Sequence, residues 1–138
     1  MRCLILAFAL TVAACAEEQQ QAAPGLASGI YTGNGRDALC ISGPAGAQRA
    51  GFVVYGADNT NCSASGRVEP AGAGWRLSPT GDADCEIPLG VDGTRISLGP
   101  ATASCGYYCG PGTTFGGKSF SRSPAAAPVT DLAGDPLC

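Results

Sequence analysis

The chain has 138 residues, 8 basic against 11 acidic side chains, no histidine and a formal net charge of −3. That length suits one modest domain. Without histidine there is no Ser-His-Asp or Cys-His catalytic arrangement, and basic residues spread singly argue against nucleic acid as a partner.

Met1-Arg2 is a positive start, and residues 3–14, CLILAFALTVAA, are apolar. At about a dozen residues the run falls short of the roughly 20 that a membrane-spanning helix needs. A charged start, a short apolar stretch and small residues at its end read as a secretory signal over residues 1–14. Val12-Ala13-Ala14-Cys15 resembles the lipobox of bacterial lipoproteins. The resemblance implies that the signal is cut before Cys15, whose sulfur receives a diacylglycerol and whose new amino group is acylated, palmitate being the expected chain. At about 0.8 kcal/mol per buried CH₂, two or more chains anchor stably. Ala16 follows, where an Asp would favour inner-membrane retention in lipoproteins. The resemblance therefore implies the outer membrane, with the domain facing the periplasm or the cell surface.

Residues 15–28 open with the lipid carrier and continue as AEEQQQAAPGLAS, a polar, low-complexity stretch expected to act as a flexible tether. The β domain is expected over 29–122. A hairpin centred on Asn34-Gly35 precedes AGFVVYGA, a more fully buried run. Its turn count sets Ile30 opposite Leu39 and Tyr31 opposite Ala38. NCSASGRVEP and GWRLSP flank a small-residue loop, with Trp75 and Leu77 facing the core and Arg76 outward. CEIPLGVDGTRISLG is the clearest hairpin. A type I′ turn on Asp92-Gly93 would set Val91 opposite Thr94, Leu89 opposite Ile96 and Ile87 opposite Leu98. Glu86, Pro88, Arg95 and Ser97 take the other face. GTTFGGKS matches a phosphate-loop pattern, but no parallel strand and long helix flank it, so nucleotide is not expected. It reads as a glycine-rich turn before a short strand, KSFSR. Short strands at this regular spacing predict an all-β antiparallel meander of about seven strands, a barrel or, second, a sandwich.

A thin core in a small exported domain needs staples. Setting aside Cys3 and Cys15, the cysteines are Cys40, Cys62, Cys85, Cys105, Cys109 and Cys138. Three disulfides are expected, with the pairing open. Residues 123–138, SPAAAPVTDLAGDPLC, form a Pro-rich tail expected to be pinned by Cys138. No metal is expected, since the chain lacks histidine and any Cys-x-x-Cys pair, and no cofactor either. SCGYYCGPG is the most distinctive stretch. It reads as a disulfide-locked corner, with Tyr107 and Tyr108 as a possible binding loop. Asp82, Asp84 and Glu86 alternate and would share one face if they lay on a strand, a candidate carboxylate pair or calcium site.

The size, tether, β meander and disulfides resemble the membrane-bound lysozyme inhibitors, small β-barrel lipoproteins. SGRVE, residues 65–69, is similar to their Ser-Gly-Ala-Arg-Tyr motif but lacks the Ala and carries Val68 in place of the Tyr. The expected function is a lipid-anchored, non-enzymatic binding or structural role in the cell envelope. Its partners would be the membrane through the lipid and an envelope protein or peptidoglycan-related ligand. The alternatives are an inhibitor of a lysozyme-like wall hydrolase, and an enzyme using either a Cys105–Cys109 thiol-disulfide pair or the acid cluster.

Overall fold

The computed structural model describes residues 25–138; the signal, Cys15 and the first part of the tether lie outside them. Eight strands follow in chain order: β1 Gly29–Thr32, β2 Ala38–Ser42, β3 Arg49–Tyr55, β4 Asn61–Ala71, β5 Gly74–Pro79, β6 Ile87–Asp92, β7 Arg95–Leu98 and β8 Ser119–Arg122. Each pairs antiparallel with the next, and β8 returns to β1 through Tyr31↔Arg122 and Thr32↔Ser121, so the sheet is a closed barrel. The short strand expected after the glycine-rich turn, here Ser119–Arg122, is the element that closes the cylinder.

Alternation decides what fills it. Leu39, Phe52, Val54, Leu77, Ile87, Leu89, Ile96, Leu98 and Phe120 are all fully buried in one core. Eight strands leave an interior just wide enough for side chains. AGFVVYGA is apolar on both faces because β3 is covered on both. Phe52 and Val54 point into the barrel, whereas Val53 lies under the C-terminal tail with Cys40, Val129 and Leu137. The tail is fastened there by Cys40–Cys138. The other disulfides are Cys62–Cys109 and Cys85–Cys105.

Two turns differ from the sequence expectation. Asp92 pairs with Arg95, Val91 with Ile96 and Leu89 with Leu98, so the loop is Gly93-Thr94 rather than Asp92-Gly93. Only Gly93, the first loop residue, has positive φ, at +59°. That requirement belongs to a type II′ turn, which leaves Asp92 extended. Pro88 consequently faces Gly99, whose N–H donates to the Pro88 carbonyl at 2.8 Å, and not Ser97. The first hairpin differs by one residue: Ile30 pairs with Cys40 and Tyr31 with Leu39. Its turn spans Asn34–Asp37, with Gly35 at φ +58°. A slip of one exchanges the faces, so Tyr31 enters the barrel and Ile30 packs outside beneath the tail.

Strand direction gives the barrel two distinct ends. The near end, where β1 begins, carries the connections 43–48, 72–73 and 93–94; the far end carries 33–37, 56–60, 80–86 and 99–118. At the near end Leu26, within the stretch read as tether, joins the main core. The buried Gln48 side chain holds it like a strand partner. Leu26 N–H donates to Gln48 Oε1 at 2.8 Å, and Gln48 Nε2 donates to the Leu26 carbonyl at 2.7 Å.

Candidate functional site

Six of the seven connections are short turns or compact loops; the one from β7 to β8, residues 99–118, is long. Long ordered connections in small domains are commonly functional. This one crosses the far end, and the buried Phe115 ring descends from it to meet Phe52 at 5.1 Å between centroids. It contains the 3₁₀ helix Ala103–Tyr108, whose turns close by Cys105 N–H to the Thr102 carbonyl at 3.0 Å and Cys109 N–H to the Gly106 carbonyl at 3.1 Å. Two bridges hold the segment: Cys105 ties it to the loop before β6 and Cys109 ties it to the start of β4. Ser104 and Thr102 hydroxyls both donate to the Asp84 carbonyl, at 2.6 and 2.9 Å.

Within that frame the two tyrosines have different surroundings. Tyr107 is 86% exposed and packs edge-on against Tyr108 at 5.3 Å. Tyr108 lies partly buried, and its hydroxyl donates to Asp82 Oδ2 at 2.9 Å. Desolvation first, and then the Asp82 carboxylate, push its phenol up to about 12. Asp82 Oδ1 accepts the Asp84 N–H at 2.9 Å and the Cys85 N–H at 3.2 Å. The Asp84 amide above all, and then the Tyr108 hydroxyl, hold the Asp82 carboxyl below its ordinary range.

The acid cluster does not assemble as the alternation suggested, because residues 82–86 form a loop and not a strand. Asp82 braces that loop, and Glu86 instead turns to Arg76, 3.3 Å away. Among the described residues no group of three metal-capable side chains comes together. Cys105 and Cys109 are bonded to Cys85 and Cys62 and not to one another, which removes them as a dithiol pair in this state. Trp75 packs against the core, partly buried.

The outer wall of β3 to β6 carries an arrangement that sequence spacing conceals. Arg67 pairs with Glu69 at 3.2 Å, Glu69 with Arg76 at 3.3 Å, and Arg76 with Glu86 at 3.3 Å. Arg49 stands directly across from Arg67 in the β3–β4 register. Its Nη2 donates to Thr80 Oγ1 at 3.2 Å, and it forms no ion pair among the described residues. Register alone joins these two, so no local motif could have announced them. Comparison with known protein families, curated proteins and solved structures gave no match for this chain.

Proposed function

We propose that this protein is a lipid-anchored cell-envelope protein that binds a macromolecular partner without catalysing a reaction, and that the 99–118 segment is its binding surface. The supporting observation is that segment's construction. Two disulfides and Phe115 fix the backbone under an exposed tyrosine. A rigid tyrosine offers large contact area at little cost in conformational entropy. The barrel supports the same reading, since its interior is filled by side chains and recognition falls to the outside. Placement agrees as well: the described chain enters β1 at the near end, so a tether attached there leaves the far end pointing away from the lipid.

The closed barrel also suits the second reading, inhibition of a lysozyme-like wall hydrolase. The SGRVE segment weakens it, because Val68, at the motif's Tyr position, is buried inside the barrel and cannot reach a partner. The test is crosslinking of the full lipidated protein in its native envelope through a photoreactive residue replacing Tyr107, with one replacing exposed Arg95 as control. A defined adduct from position 107 alone supports the reading. Equal or no adducts from both positions overturn it. Inhibition of a lysozyme in a wall-clearing assay would assign the partner to the second reading.

A further inference from the structure

The wall network described above alternates in sign, Arg67–Glu69–Arg76–Glu86, and is neutral. Arg49 extends it by one more cation, set opposite another cation. Like charges directly across a strand pair are unfavourable when nothing lies between them. Here both border an open cleft of about 520 Å³ that Ser78 and Thr80 also line. Ser78 is the next residue in the same cross-strand row, paired with Arg67. Two arginines and two hydroxyl-bearing residues thus line one space, and guanidiniums are suited to gripping planar oxyanions through paired N–H groups.

From this we infer that the Arg49–Arg67 cleft binds a single carboxylate group, Arg49 supplying the uncompensated charge and Ser78 and Thr80 the neutral donors. Charge selects the class. Glu69 and Asp82 also border the cleft. Glu69 is already shared by Arg67 and Arg76, and Asp82 already accepts three hydrogen bonds. One free cation beside two standing anions accommodates a monoanion, and repels the second charge of a phosphate. The site is on the barrel wall, does not include Tyr107, and stands or falls independently of the far-end surface.

The test is a ¹⁵N NMR titration of the disulfide-intact protein with N-acetylglycine, a chain-end carboxylate, and with N-acetyl-aspartate N-methylamide, a side-chain carboxylate. The uncharged amide of each and inorganic phosphate serve as comparisons. Saturable shifts centred on Arg49, Arg67, Ser78 and Thr80 are expected with one or both carboxylates, weakened about tenfold by Arg49→Gln and unchanged by Arg95→Gln. The tighter carboxylate identifies the source. Three results would each overturn the inference: no saturable shift at these residues, amides that bind as well as the acids, or phosphate that binds more tightly than both carboxylates. Arg49 is exposed, and the folded spectrum of the variant provides its own control.

Discussion

The two ends of the barrel are closed by different chemistry. At the far end, Phe115 plugs the core and is held down by a segment that two disulfides bind to β4 and to the loop before β6. At the near end, Leu26 takes the equivalent place and is held by two amide hydrogen bonds to Gln48, with the Tyr31 hydroxyl donating to the Ala27 carbonyl at 2.6 Å. A covalent closure resists local opening and fixes a surface. A hydrogen-bonded closure can be released and reformed without chemistry. The difference places the rigid surface at one end and the yielding joint at the other, where the described chain enters β1.

The contrast is sharpest at the two plugs and their fastenings. Phe115→Ala should cost about 3–5 kcal/mol in urea unfolding, since it removes a buried ring from the main core. Joint replacement of Cys62 and Cys109 by Ala should cost about 4 kcal/mol, from the 47-residue separation that the bridge closes. In that variant, hydrogen exchange should quicken first over 99–118, and a uniform change across the barrel would break the proposed division between the ends. Gln48→Ala should cost about 2–3 kcal/mol by stranding the Leu26 amide and carbonyl. The increment should be the same with or without reductant, and Gln48→Glu, which keeps the acceptor but loses the donor, should recover only part of it.

The smallest effect is expected at the hydroxyl linking Tyr108 to Asp82. Tyr108→Phe should cost about 1.5 kcal/mol at neutral pH. The Tyr108 phenol is raised in the fold, so its contribution is complete below the unfolded value near pH 10 and is lost as pH climbs toward about 12. The Asp82 carboxyl is lowered, so its contribution is present above the ordinary carboxylate range and fades as pH falls through the lowered value. The variant should therefore flatten stability at both extremes of pH. Tyr31, raised mainly by burial, should still titrate late in the variant in a spectrophotometric titration.

How far these features were legible depends on the kind of constraint. Alternation identified Leu77 inside and Arg76 outside because one is apolar and the other charged. It failed for Ile30 and Tyr31, since both are apolar and both faces of β1 are covered. Asp92, Gly93 and Thr94 admit two turns, and only the backbone shows that Gly93 alone takes positive φ. Six cysteines implied three bridges, but pairing is a property of the closed barrel and not of spacing. The tyrosine corner stood out locally by composition. Asp82 beneath it, Gln48 against Leu26 and Arg49 across from Arg67 are long-range meetings made by the closed fold, and composition carries no trace of them.

The seam between β1 and β8 also sets an order of assembly. Tyr31 meets Arg122, and the Ser123 N–H reaches the Ile30 carbonyl at 2.8 Å. Until Ser119–Arg122 arrives, the preceding strands form only a curled sheet with two open edges. Contacts so distant in sequence form slowly, and this one is out of reach of a chain still emerging. A polypeptide built this way keeps two open strand edges for most of its synthesis, and becomes a cylinder only once nearly all of it has been made.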